Sequence, residues 1–509
     1  MTKIIINGNL SPNDIVNVAR NGFKIEIAPE AYQRMAKSRG LVESCVKENR
    51  AVYGITTGFG KFSDVSISEA NSKKLQKNLI MSHACGVGEP LPAETVRAMM
   101  VLRINALTVG NSGISKNTVD ALKDMLNGGV VPFVPSKGSL GASGDLVPLA
   151  HMALTLLGMG DAFYNGKKMT AKKALKNAGL KPIELTAKEG LALINGTQAM
   201  NAIAALCLFD SENLNKTADV CAAMTMEALR GITDAFDPRI QELRRQTGQA
   251  ATAKNILNLL NGSGRTTRQG QLRVQDAYTL RCVPQIHGPS KDALGYVGGV
   301  VEKEINAVTD NPVIFPETDE AISGGNFHGQ CLAMALDFLT ISLSELANVS
   351  ERRVERLVNP QLSGLPAFLV KKGGLNSGFM IPQYVAASLV NENKVLSHPA
   401  CVDSITSSAN QEDHVSMGMT AARKARTVVE NLTNVLAIEL LVSAQAIDFG
   451  DKSLPLGKGT KAAYGCVREA VDFMGKDRFI APDIAKCAEL IKSGRIVRAA
   501  EEAAGVLES

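Results

Sequence analysis

The nine cysteines of this 509-residue chain include no C-x-x-C pair, and its six histidines form neither an H-x-x-H nor an H-x-x-x-H spacing. Scattered cysteines in a chain this long read as reduced thiols of a cytoplasmic protein, not as a disulfide framework. Without metal-ligand spacing, no metal site is expected. Lys and Arg total 55 against 50 Asp and Glu, a net charge of +5. They are dispersed, so no nucleic-acid partner is expected. No run of about 18 uncharged apolar residues occurs, so no membrane span is expected. The N-terminal apolar run in "MTKIIINGNL" stops at Asn7-Gly8, too early for a signal peptide. Internal repeats, low-complexity tracts and long Pro/Ser linkers are also missing, which leaves an ordinary globular composition with 45% apolar and 21% charged residues.

Helix signals fill the chain instead. Ser11-Pro12-Asn13 opens a short helix that Gly22 closes. Ser66-x-x-Glu69 and Thr186-x-x-Glu189 have capping-box spacing, and the second leads into one apolar run, "GLALINGTQAMNAIAALCLF". Cys331–Val358 and Ala421–Ile447 contain no Pro or Gly. Each spans about 40 Å as a helix and needs neighbours along its length, which implies a bundle. Strands are scarce: "KIIING" with "KIEIAP", and a hairpin turning at Thr318-Asp319. The expectation is a mainly α fold, one catalytic unit over residues 1–509. A loop-rich part (about 1–150) precedes a long helical bundle (about 151–509), with a few short strands.

The loops are richer than bundle turns need. Several combine Gly with Tyr, His, Asn or Phe, as backbone held near a ligand does. In "GSLGASGDLVPLAHM" the triplet Ala142-Ser143-Gly144 has a chemistry of its own. If the backbone bends tightly, the Gly144 amide nitrogen attacks the Ala142 carbonyl carbon and closes a five-membered ring. Gly suits the attacking position because no Cβ blocks the bend. Loss of water from the ring, and of the Ser143 hydroxyl as water, leaves a methylidene-imidazolone, an electrophile made without an external cofactor. Asp145 orients the precursor or accepts a proton. The plainer alternative is a small-residue turn leading into a buried helix.

The surrounding segments resemble the aromatic amino acid ammonia-lyase family. "YGITTGFG", "NLIMSHACGVGEPL", "GSLGASGDLVPLAHM", "EGLALINGTQAM", "QDAYTLRC", "TDNPVIFPE", "SGGNFHG", "SGFMIPQ" and "NQEDHVSMG" follow in the family's order from Tyr53 to Gly418. The resemblance implies the ammonia-lyase/fumarase-like bundle and the methylidene-imidazolone (MIO) group from Ala142-Ser143-Gly144. It also implies a homotetramer whose active sites are shared between subunits. Tyr53 is the expected base, in need of nearby positive charge or a helix N-terminus to lower its pKa. Tyr278 is a second tyrosine for positioning or proton transfer. Arg281 is the expected carboxylate anchor. Asn195 and Gln275 supply neutral donors for the carboxylate or the cofactor oxygen. Asn311 and Phe327 match positions near the cofactor, and Met380 is a soft pocket wall. One departure is Thr56, where the family usually has Asn.

Substrate choice rests on His83 and Glu412. In the family, a histidine in the setting of His83 accompanies imidazole substrates, and a carboxylate at 412 can accept the imidazole N–H. The reaction implied is loss of ammonia from L-histidine to give trans-urocanate, the opening step of histidine degradation. The alternatives are a tyrosine or phenylalanine ammonia-lyase, or an aminomutase, on the same fold. A cofactor-free lyase of the fumarase type would need a Gly-Ser-Ser loop with Met-Pro-x-Lys, which this chain lacks. A non-catalytic scaffold would not need an intact triplet and Tyr53.

Overall fold

The computed structural model describes residues 2–58, 60, 65 and 67–509. Two compact units are built from interleaved stretches of chain: residues 1–209, 298–337 and 399–423 in the first, and 210–297, 338–398 and 424–509 in the second.

In the first unit, Ser11 caps the helix Pro12–Ala19 with a complete capping box to Asp14. Lys3–Ile6 and Lys24–Ile27 pair as parallel strands. Val313–Phe315 and Glu320–Ile322 form the expected hairpin, with Asp319 left-handed at φ 56°. An antiparallel sheet of Val130–Pro132, Asp161–Tyr164 and Lys167–Thr170 was not expected. Its Asn165-Gly166 turn, both residues at positive φ, is the hairpin signal that marks it.

Two helices decide the site. Leu146–Leu156 follows the triplet as the expected buried helix. Glu189–Ile194 is buried at all six positions and stops at Asn195, whose ψ of 103° leaves the helical region. The apolar run is therefore two helices, because Asn195-Gly196-Thr197 separates it from Gln198–Ala228. Glu189 reaches back to the Thr186 N–H (2.7 Å), so half of that expected box forms. Ser66 of the other box lies outside the described residues, and the helix Glu69–His83 takes Ser68 as its N-cap.

The second unit is a bundle of long helices. Glu439 stands at its centre and accepts from Arg353 Nε (2.6 Å) and Nη2 (2.9 Å), Ser350 (2.6 Å) and Thr225 (2.9 Å). Arg353 also meets His287 Nε2 (3.1 Å), and His287 Nδ1 meets Asp219 (2.8 Å). Burial lowers the His287 pKa, so its ring is neutral, donating to Asp219 and accepting from Arg353. Buried charges persist only when satisfied this fully.

Gln330–Val358 and Gly418–Phe449 contain the two long helices expected from sequence. Both are long and apolar enough to cross a membrane by length and composition alone, although neither contains the uncharged run of about 18 residues sought in the sequence. Their apolar windows are 61% and 83% buried within the protein, as core helices are. The nine cysteines are all free.

Candidate active site

A cavity of about 750 Å³ opens in the first unit beside the triplet. One wall is a face of the helix Glu69–His83. Leu75, Asn78, Leu79, Ser82 and His83 line it, at the three- and four-residue spacing that stacks side chains on one side of a helix. Tyr53, Ser143, Leu191, Ile194, Asn195, Ser408, Ala409 and Glu412 complete much of the remaining wall. Five of the residues singled out from sequence (Tyr53, His83, Ser143, Asn195 and Glu412) thus meet in one space.

Ala142 and Ser143 sit between two left-handed glycines, Gly141 (φ 76°) and the triplet's own Gly144 (φ 72°). A Cβ on Gly141 would overlap the Ser416 hydroxyl, and one on Gly144 would overlap the Gly196 carbonyl. Gly144 bridges Gly196, and the next amide, Asp145 N–H, donates to Gly196 O at 2.6 Å. The backbone is thus held in a turn that only glycine tolerates at both ends. That tight bend fits the ring closure the residue types suggest.

The Ser143 hydroxyl donates to Glu412 Oε1 (2.9 Å). The other carboxylate oxygen accepts from Ser407 (3.1 Å), whose backbone N–H also donates to Glu412 O (2.8 Å). Between them Ser408, Ala409 and Asn410 are all left-handed, at φ 50°, 53° and 70°. Non-glycine residues resist that conformation, so this short loop is strained where it presents Glu412.

His83 Nδ1 lies 3.0 Å from Ser82 Oγ, whose own hydrogen goes to Leu79 O (3.1 Å). Burial lowers the His83 pKa, outweighing the nearby Glu412 charge. The neutral ring therefore donates from Nδ1 and keeps Nε2 as an acceptor. Tyr53 Oη accepts from Gly60 N–H (3.2 Å). Burial raises its pKa, the Glu412 charge raises it further, and the Gly60 bond opposes them. No positive charge among the described residues therefore gives Tyr53 the expected activation.

Asn195 Nδ2 donates to Asn311 O (3.3 Å), and its Oδ1, buried, has no partner among the described residues. Asn311 takes part through its backbone, while its side chain accepts from Gly324 N–H (2.8 Å). Phe327 is half-buried in the first unit and is not in the cavity wall. Thr56 hydrogen-bonds the Val52 N–H (2.9 Å) and the Arg50 carbonyl, tying the loop that carries Tyr53.

Gln275, Tyr278 and Arg281 belong to the second unit and form a cluster of their own. Arg281 Nη1 donates to Gln275 (2.9 Å) and its guanidinium lies over the Tyr278 ring (4.7 Å). Tyr278 is 68% exposed. Met380, half-buried, begins the helix Met380–Leu396 in the same unit. None of the four lines the cavity around Ser143.

Asp145 is fully buried and turned to structure: Oδ2 accepts from Met200 N–H (2.8 Å) and Oδ1 from Ser139 (3.2 Å). Burial pushes its carboxyl up to about 7 against those donors. The unfolded value is about 3.9, so the folded chain holds this proton more tightly. The resulting stability is full below about pH 4 and is lost as pH rises through 7. Asp145→Asn cannot ionise, so the melting temperature of wild type minus that of the variant is expected to fall between pH 4 and 8. Thermal melts across that range check it, and a flat or rising difference would contradict it.

The sequence model of the aromatic amino acid lyase family matches residues 10–469. The chain belongs to that family. It is 59% identical over 508 residues to the histidine ammonia-lyase of Alkaliphilus metalliredigens (strain QYMF), with 100% of both chains covered. The crystal structure of histidine ammonia-lyase from Trypanosoma cruzi superposes with a TM-score of 0.92 at 43% identity, over 98% of this chain and 95% of that one. Tyrosine aminomutase from Streptomyces globisporus superposes at 0.95 with 35% identity, covering 100% of both. The mainly helical fold is that of the ammonia-lyases and aminomutases.

Proposed function

We propose that this chain is an ammonia-lyase that eliminates ammonia from L-histidine to give trans-urocanate, opening histidine degradation. The observation that carries the reading is the meeting of Ser143, Glu412, His83 and Tyr53 in one cavity. The relatives named histidine ammonia-lyase support it.

A methylidene-imidazolone formed from Ala142-Ser143-Gly144 supplies an electrophilic carbon at the position of the Ser143 side chain. The chain's own residues do the rest. His83 Nε2 and the Glu412 carboxylate accept the two N–H groups of the substrate ring in its protonated, imidazolium form. Asn195 Oδ1 accepts from the substrate amino group. Tyr53 Oη takes the β-proton.

The carboxylate is held by Arg281 of the partner subunit, with Gln275, Tyr278 and Met380 closing the site from the same side. That guanidinium also supplies a positive charge to Tyr53, which has none beside it among the described residues of its own chain. A homotetramer with shared sites is supported by an apolar face on the second unit. Tyr296 (50% exposed) stacks edge-on with Phe338 (44%), with Ile341 (45%) also exposed on the same helix as Phe338.

The second reading keeps the ammonia, as an aminomutase does, and is supported by the superposition with tyrosine aminomutase. For either outcome on ammonia, the two acceptors facing the cavity favour a side chain with an N–H. Purified protein is expected to turn over L-histidine roughly 10⁴-fold more efficiently than L-phenylalanine, because the apolar ring leaves buried acceptors unpaired. Ultraviolet assays of urocanate, cinnamate and coumarate check this. Cinnamate or coumarate as the main product would overturn the substrate assignment.

A further inference from the structure

The Gly196 peptide that braces Gly144 is itself braced from behind. A Cβ on Gly196 would overlap Arg103 Nη1 and Gln198 Oε1, with Thr309 Oγ1 at 2.8 Å. Gly196 is therefore a spacer, with the triplet on one side and a polar cluster on the other. Arg103 is fully buried in the helix Ala93–Thr108. Its Nη1 donates to Asn195 O (2.9 Å) and Gln198 Oε1 (2.8 Å), and its Nη2 to Ala192 O. Gln198 Nε2 continues to Thr309 Oγ1 (2.9 Å). None of these acceptors is a carboxylate; the nearby Asp310 acts on the cation through space while its own carboxylate is bonded to Lys188 (2.9 Å). The hydrogen bonds of Arg103 all fall on residues 192–198, the stretch that turns out of one helix, presents Asn195 and enters the next.

A buried guanidinium costs several kcal/mol of desolvation, and an apolar side chain of similar volume is often at least as stabilising. A stability role alone therefore explains it poorly. What a planar, multidentate cation adds is position: it fixes three oxygens at once.

We infer that Arg103 is a positioning residue for closure of the Ala142-Ser143-Gly144 ring, holding the Gly196 peptide against Gly144 so that the triplet stays bent. The inference rests on the proposed self-made electrophile. In the closure, a bond forms between Gly144 N and Ala142 C. The Ala142 oxygen leaves as water with the Gly144 and Ser143 amide hydrogens, leaving a C=N bond to Ser143 N. The Ser143 hydroxyl leaves as a second water with the Ser143 Cα hydrogen, forming the exocyclic C=C bond. The first bond forms only while the turn is compressed, and displacements near 1 Å in such a reaction cost about 10²-fold in rate.

The test is the intact mass of the purified full-length chain. Wild type is expected two waters lighter than its sequence. Arg103→Lys keeps the charge but cannot bridge three acceptors. It is expected to close about 10²-fold more slowly, so most freshly made chains keep both waters while circular dichroism and oligomeric state match wild type. kcat should fall in proportion to the closed fraction, with KM for L-histidine unchanged. A folded Arg103→Lys chain that is fully two waters lighter overturns the inference. If Arg103→Lys does not fold, Gln198→Met decides on the same readout. It removes one guanidinium acceptor and the link to Thr309, and full closure in it overturns the inference equally. A wild-type chain with no mass loss refutes the self-made electrophile, so the two failures are distinct.

Discussion

Ser143→Ala is expected to fold, assemble and bind L-histidine, yet to release urocanate at least about 10³-fold more slowly than wild type, the scale of loss when a covalent centre is removed. The hydroxyl is the oxygen that must leave to create the exocyclic double bond, and alanine has none. Within the fold it makes one bond, to Glu412 Oε1 at 2.9 Å. Ser407 still holds the other carboxylate oxygen in the variant. The stability cost is therefore on the order of 1–3 kcal/mol, that of one bond to a charged group. Intact mass makes the prediction specific: the variant keeps at least one of the two waters that wild type loses. A variant with more than a tenth of wild-type turnover would show that Ser143 is a turn residue and no more.

Tyr53→Phe should lower kcat by about 10²–10⁴-fold, the usual contribution of a positioned base. Among the described residues the phenol oxygen makes one hydrogen bond, from Gly60 N–H, so little stability is at stake. Ring closure does not use this oxygen, and the variant should still be two waters lighter than its sequence. Separation of the two readouts distinguishes a base from a folding residue. The pH dependence follows from the raised pKa, which burial and Glu412 both favour. A base must lose its proton to act, so wild-type kcat should keep climbing with pH and not level off below the ordinary phenol value of about 10. Tyr53→Phe should lack that limb. An unchanged kcat in the variant would move the base elsewhere, Tyr278 being the next candidate.

The residues that meet in the cavity were legible where the proposed chemistry limits the choice of residue. The triplet could be read because only glycine fits the position that must bend, and Gly144 does bend at φ 72°. His83 was legible by type. The face it shares with Leu75, Asn78, Leu79 and Ser82 follows from helical spacing, which the same segment already displays. Long helices were legible because uninterrupted apolar periodicity has few other solutions.

Other features depend on partners far along the chain. An arginine in a helix ordinarily reads as a surface charge, yet Arg103 is buried by carbonyls some ninety residues away. The break at Asn195 interrupts a run with good helical periodicity, because Gly196 is needed against Gly144. Ser408–Asn410 shows no glycine to advertise its left-handed turn. That neither Arg281 nor Tyr278 lines the cavity beside Ser143 was likewise invisible, since order in sequence does not tell which side chains meet.

The most direct measurement of the central claim is the stoichiometry of ammonia to urocanate released from L-histidine by purified protein. The account predicts one ammonia per urocanate, with both absent in Ser143→Ala. Consumption of histidine without free ammonia, the amine returning at the β-carbon, or no consumption at all, would contradict it.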